Sequence, residues 1–297
     1  MRYSIQLLLL LTLLSSCKEK TIEEKTEVSN INKEQLALKS ALTLYASFDN
    51  GINADFAKGD DRLYSVMNRK SLDSARIGLY KDSVNIAKTI GKYGDALQFK
   101  DKTKGYVFYK SLNNIAYSTT DWDSSISFWL SLDPNTDLKP GYCDPIQITD
   151  SGYNDAGIWV DFTKENPRDF RLGVIGDRDS WNPNPEGPDN ENPNFISQLI
   201  PVKSPPFSTG KWTHIVINFS ELNTANGKTE LFINGESAGS KTSIKDPFTW
   251  EIENSNILLG LSYIGLMDEL SIFNKVLSKN EIKVLYNSKT PISAIVK

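Results

Sequence analysis

The chain is poor in the residues that most metal, redox and nucleic-acid sites depend on. A single histidine, His214, stands among 297 residues, which excludes a histidine-rich zinc site. The two cysteines, Cys17 and Cys143, lie far apart, and neither belongs to a C-x-x-C motif. Lys and Arg number 33 against 37 Asp and Glu, a net charge of -4, and no basic cluster occurs, which argues against nucleic acid as a partner. The apolar run Ile5–Leu14 is too short to span a bilayer. The body of the chain has no long helical period and no internal repeat, which leaves strands as its building material.

The N-terminal segment nonetheless has a purpose. Arg2 precedes the apolar run, which ends in Leu14-Ser15-Ser16-Cys17. That order resembles the lipobox of bacterial lipoproteins. The resemblance implies cleavage before Cys17, acylation of its amine and thiol with chains such as palmitate, and a firm membrane hold without a spanning helix. Cys143 would then have no disulfide partner, and a buried small side chain is its expected role. Residues Lys18–Ser40 carry five Lys, five Glu and no aromatic residue, the composition of a solvated tether, with a short helix near Lys33–Ala41 compatible with that role. Lys18 after the lipidated cysteine favours outer-membrane sorting in a Gram-negative envelope. The expected organisation is signal peptide 1–16, lipidated cysteine and tether 17–40, one domain 41–290, and a tail 291–297.

Within the domain, short alternating runs are separated by Gly, Pro, Asn and Asp, the pattern of an antiparallel sandwich. These runs are 41–48, 124–132, 157–162, 169–176 and 211–219. Residues 229–239 read as a hairpin about Asn234-Gly235, a dipeptide suited to a type I′ turn. Asp177–Phe207 holds seven of the thirteen prolines and reads as a long exposed loop, either a binding loop or a strap over a sheet edge. In Gly265–Phe273, alternation places Leu266, Asp268, Leu270 and Ile272 on one face. Ser278 and Glu281 then form a capping box that opens one short helix, with Ile282, Leu285 and Tyr286 on its apolar side.

Four segments in order, GKYGDALQF (91–99), GKWTHIVINFS (210–220), LFINGESAG (231–239) and Gly265–Tyr286, resemble the LamG-like jelly-roll family of the concanavalin A-like lectin and glucanase superfamily. The resemblance implies an all-β fold: two antiparallel sheets packed face to face, with one short C-terminal helix. It also implies a use for Asp268. Relatives often employ the closing-strand aspartate to hold one structural Ca2+ together with oxygens of an early turn, here Phe48-Asp49-Asn50-Gly51, with Asp49 as the second candidate ligand. The alternative is an Asp268 that accepts backbone N–H bonds.

The superfamily includes hydrolases and lyases, but their constellations are missing. The nearest match to a Glu-x-Asp-x-Glu strand is Trp250-Glu251-Ile252-Glu253-Asn254, which lacks the third acid. Where alginate lyases carry Gln-Ile-His, this chain has Gln147-Ile148-Thr149. His214 is expected to be packed or hydrogen-bonded. A non-catalytic role is the expectation, and alternation suggests a binding platform. With Ile126, Phe128 and Leu130 inward, Trp129 points outward; with Ile158, Val160 and Phe162 inward, Trp159 and Asp161 point outward, as does Arg171. Indole faces stack on sugar rings, while carboxylate and guanidinium bind hydroxyls or a uronate. Trp181 on the proline-rich loop joins this set of candidate ligand-binding residues. Burial of the tryptophans under that loop is the competing arrangement. The expected partner is a polysaccharide or other glycan. The other classes left open are a glycosidase or lyase using Asp161 and acids of the 177–191 loop, and a protein-interaction module.

Overall fold

A computed structural model describes residues 33–67, 74–79 and 83–295. The signal peptide, Cys17 and all but the last residues of the expected tether lie outside the described residues. Among those described, the strands form two antiparallel sheets. The first sheet runs β15 (Glu236–Ile244), β14 (Gly227–Ile233), β13 (Thr213–Leu222), β8 (Trp122–Ser131), β17 (Gly265–Phe273), β1 (Leu42–Ala46) and β2 (Phe56–Ala57). Beside the start of β17 it also carries β6 (Ala96–Phe99) and its partner β5 (Val84–Ala87). The second runs β12 (Ile200–Val202), β11 (Phe170–Ile175), β10 (Gly157–Phe162), β9 (Cys143–Thr149), β16 (Asn256–Leu261), β7 (Tyr106–Lys110), β3 (Tyr64–Val66) and β4 (Arg76–Ile77).

Inward residues at alternate positions build the main core: Ile126, Phe128 and Leu130 of β8 meet Ile146, Ile148, Ile158 and Val160 of β9 and β10. Asn234 and Gly235 take φ of 52° and 81°, the left-handed pair a type I′ hairpin needs, and join β14 to β15 as the dipeptide predicts.

The closing strand departs from simple alternation. Glu269 has φ of 53°, and the pairing with β8 slips by one residue between Asp268 and Ser271. This bulge puts Met267, Leu270 and Ile272 into the core and turns Asp268 out of line with them. The expected shared face for Leu266, Asp268, Leu270 and Ile272 is thus corrected: the inserted residue divides it, leaving Leu266 and Asp268 on the outer side and putting Leu270 and Ile272 in the core.

Helices cover the outer face of the first sheet. A helix over residues 33–41 (α1), α4 (Lys279–Asn287) and α5 (Ile292–Ile295) pack Leu38, Ala41, Ile282, Leu285 and Ile292 against Tyr45, Val216 and Phe232. α4 begins as expected, with the Ser278–Glu281 capping box complete in both directions. Because α1 and α5 bury apolar side chains on the sheet, packed residues lie on both sides of the expected 41–290 span, and the one helix expected, α4, has company. The proline-rich segment is also more ordered than a bare loop. It carries α2 (Arg178–Trp181), a 3-10 turn at Asp189–Glu191, α3 (Pro193–Gln198) and the edge strand β12.

Candidate functional site

On the second sheet, the core side chains Ile146, Ile158, Val160, Phe170 and Leu172 leave Gln147, Trp159, Asp161, Arg171 and Gly173 facing outward. Antiparallel register sets Asp161 opposite Arg171 and Trp159 opposite Gly173. Arg171 Nε donates to Asp161 Oδ1 at 2.8 Å, and Nη2 donates to Oδ2, a side-on bidentate pair. The guanidinium carbon stands 4.8 Å from the Tyr142 ring centre and 5.8 Å from that of Trp159, cation–π contact on both. Burial raises the Asp161 carboxyl above its usual range, with the bonds from Arg171 opposing it. For Arg171, burial works downward, but the bonds and charge of Asp161 prevail and keep it a cation.

This pair forms part of the lining of a cleft of about 250 Å³. Tyr142, Tyr153 and Gln147 contribute from around β9, and Asn190 and Phe195 from the proline-rich segment. Tyr153 is 39% exposed at its rim, so an aromatic surface is available to a ligand.

The proline-rich segment is a strap with one carboxylate at its polar centre. Asp189 accepts from Arg178 Nε at 2.7 Å, Asn154 Nδ2 at 2.5 Å and Asn182 Nδ2 at 2.7 Å. With it come Trp181, Phe195 and Leu199, which form a small apolar cluster over Trp159. Phe195 stacks on Trp159 with centroids 6.1 Å apart and planes 20° apart. Trp159 donates Nε1–H to the Tyr153 carbonyl at 2.7 Å and retains 2% of its exposure; Trp181 retains 5%. Of the arrangements open from sequence, burial under the strap is the one found for Trp159 and Trp181. Trp159 supports the cleft from beneath, and Trp181 anchors the strap.

Trp129 stands apart. It points outward on β8, but β8 belongs to the first sheet, whose outer face looks away from the cleft. There Lys92 Nζ lies 4.1 Å from its ring centre, His214 stacks at 4.6 Å and Tyr286 of α4 at 5.9 Å, leaving Trp129 3% exposed. The expected single platform of Trp129 and Trp159 is corrected accordingly, because alternation assigns a face but not a sheet. His214 shares a hydrogen bond of 2.9 Å between Nε2 and Ser127 Oγ, and burial lowers its pKa to about 3, so it stays neutral. It packs, as expected.

The candidate calcium ligands meet a different need. Asp268, fully buried, accepts at Oδ2 from the backbone N–H groups of Lys92 (2.6 Å) and Tyr93 (3.2 Å), and at Oδ1 from Glu269 N–H (2.7 Å). Asp49 Oδ1 accepts from Asp95 N–H at 2.7 Å. Both carboxylates hold the Gly91–Asp95 turn. A Cβ on Gly91 would come within 2.8 Å of Asp268 Oδ2, and one on Gly94, whose φ is 76°, within 2.3 Å of Asp49 Oδ1. Amide hydrogens facing these oxygens are the wrong polarity for a cation's surroundings, and Ca2+ takes six to eight oxygens. Among the described residues, no group of three or more His, Cys, Asp or Glu side chains comes together. Backbone hydrogen bonding, the alternative open from sequence for Asp268, is found at Asp268 and also at Asp49.

The sequence reading leaves Tyr142, Tyr153, Gln147 and Asn190 out of the ligand-binding set, although all four line the cleft. Gln147 could have been included, since it alternates with Ile146 and Ile148; Tyr153 and Asn190 sit in turns where no period assigns direction.

Two stacked antiparallel sheets with a polar and aromatic cleft on one outer face define a jelly-roll sandwich. The chain belongs to the concanavalin A-like lectin/glucanases superfamily, whose laminin G model matches residues 101–283, more than half of the chain. Domain 4 of a GH43 extracellular arabinanase from Geobacillus stearothermophilus, solved in complex with arabinotriose, is similar with a TM-score of 0.52 and 18% identity, over 83% of this chain and 98% of that one. The ligand-binding domain of botulinum neurotoxin serotype D, solved with N-acetylneuraminic acid, is similar with a TM-score of 0.52 and 14% identity, over 86% of this chain and 53% of that one. At such identities the likeness is one of fold. Comparison with curated protein sequences finds no match.

Proposed function

We propose that the protein is a non-catalytic carbohydrate-binding lipoprotein of the bacterial envelope. Cys17 carries the acyl chains, the polar segment after it is the tether, and the cleft on β9–β11 takes a glycan. The observation that carries this reading is the bidentate Asp161–Arg171 pair under the Tyr142 ring, in a cleft whose rim exposes Tyr153. Hydroxyl groups both donate and accept, and an adjacent carboxylate and guanidinium offer both partners. An aromatic ring supplies the face on which the apolar side of a sugar rests. The arabinotriose and N-acetylneuraminic acid complexes of similarly folded domains support a sugar as the occupant.

Asp161 is committed to Arg171, so it lacks the freedom of a general acid or nucleophile, which supports a binding role over hydrolysis. The test is affinity electrophoresis of the full chain in gels containing plant and bacterial polysaccharides, with a reducing-end and unsaturated-end assay alongside. Retardation that Tyr153→Ala weakens and that Arg171→Ala, shown to be folded by near-UV circular dichroism, abolishes supports the reading; release of chain ends would replace it with an enzyme. For the anchor, labelled palmitate incorporation and outer-membrane fractionation are both lost in Cys17→Ala. An unlabelled wild type in the soluble fraction would remove that part.

A further inference from the structure

Arg171 is the one cation among the described residues lining the cleft. Its charge is not available to an incoming anion. Two of its N–H groups are bound side-on to Asp161, whose carboxylate cancels the charge at contact distance. A second carboxylate, Asp144, lines the same cleft within electrostatic reach of Arg171. The cleft therefore offers an incoming anion one guanidinium, already paired, and no other cation among its described lining residues. An added carboxylate, sulfate or phosphate would have to be desolvated against a guanidinium that Asp161 already holds.

The remaining polar groups suit a neutral ligand. Gln147 and Asn190 carry side-chain amides, each with donors and an acceptor, and Tyr142 and Tyr153 present rings and hydroxyls. The outer N–H groups of Arg171 lie beside Asp161 oxygens, which matches the alternating donors and acceptors of neighbouring hydroxyls on one sugar ring. At about 250 Å³ the cleft stands just below the usual range of about 300–1,000 Å³ for ligand sites, so it fits a short segment of a chain.

We infer that the cleft selects neutral sugars bearing vicinal hydroxyls and rejects acidic ones such as uronates, sulfated sugars and sialates. This rests on the carbohydrate-binding reading and decides between the hydroxyl and uronate alternatives that the Asp161 and Arg171 side chains leave open from sequence. The discriminating feature is Asp161: it converts an arginine that would otherwise attract acids into half of a neutral donor–acceptor pair.

The experiment is isothermal titration of the full chain, in detergent, with a neutral set (arabinan, mannan and laminarin oligosaccharides) and an acidic set (alginate and polygalacturonate oligosaccharides). The expected result is binding to a member of the neutral set only, with Kd changing less than about twofold between 50 and 500 mM NaCl, since screening acts on net charge interactions. Tyr153→Ala, at an exposed position, weakens that binding roughly three- to tenfold through loss of the aromatic face. Asp161→Asn exposes the Arg171 charge and gains measurable, salt-sensitive affinity for the acidic set; near-UV circular dichroism establishes that each variant is folded, and the Tyr153→Ala arm stands independently. Wild-type preference for the acidic set overturns this inference and leaves the carbohydrate reading in place. Binding to neither set overturns the carbohydrate reading itself.

Discussion

The indole of Trp159 lies flat on Gly173, its antiparallel partner across β10 and β11. A Cβ at position 173 would sit 2.4 Å from the indole Cζ2, closer than any real contact allows. Glycine is required there because a ring occupies the space, with Phe195 of the strap closing its other face. This layering sets the depth of the cleft.

Gly173→Ala should therefore lift Trp159 and disturb the strap. Overpacking of this kind costs about 1–3 kcal/mol, which for a domain of this size lowers Tm by roughly 2–4 °C per kcal/mol. The intrinsic tryptophan fluorescence should shift to the red as the indole gains water. An unchanged Tm and emission maximum would mean that the ring does not rest on that glycine.

The Asp161–Arg171 pair is nearly shielded from water, with side-chain exposures of 5% and 13%. Removing only the cation leaves a buried carboxylate alone. Arg171→Ala is expected to lose about 3–5 kcal/mol in urea denaturation, whereas the double variant Asp161→Leu/Arg171→Met loses much less or nothing, because no charge is stranded. Equal losses in the single and double variants would contradict the pairing.

Asp268 and Glu269 adjoin in the β17 bulge. Burial and the neighbouring Glu269 charge push the Asp268 pKa up to about 8, although three backbone N–H bonds oppose the rise. Burial likewise raises Glu269 to about 7, against the bonds it accepts from Tyr45 and Ile292. A carboxyl whose folded pKa exceeds its unfolded value binds its proton more tightly in the folded state, so stability falls as pH rises through the window between them. Tm should be higher near pH 5 than near pH 8. Asp268→Asn should flatten that slope, and a Tm that climbs steadily from pH 5 to pH 8 would contradict the assignment.

Since amide groups satisfy both oxygens of Asp268, millimolar calcium should leave Tm within about a degree of its value in EDTA, as a ligand stabilises only in proportion to its occupancy of the folded state. A calcium-dependent rise of several degrees would show that the cation reorganises the Gly91–Asp95 turn.

Local chemistry made much of the fold legible. The left-handed pair Asn234-Gly235, the Ser278–Glu281 capping box and the inward triplets of β8 and β10 all stand where residue type and period put them. Each depends on neighbours a few residues apart, so the sequence by itself determined it. The alternation that turned Trp159, Asp161 and Arg171 outward together was also sufficient, because β10 and β11 pair directly. Three matters were decided only by tertiary structure. Trp129 and Trp159 obey the same alternation on different sheets, and strand order is a property of long-range pairing. The bulge at Glu269 comes from one extra residue at positive φ, for which a glutamate provides no local signal. Burial of Trp159 and Trp181 depends on where the strap lands, and a buried network centred on Asp189 settles that, joining side chains up to 35 positions apart. Short-range preferences select the elements; which element covers which is set by contacts whose partners are distant in the chain.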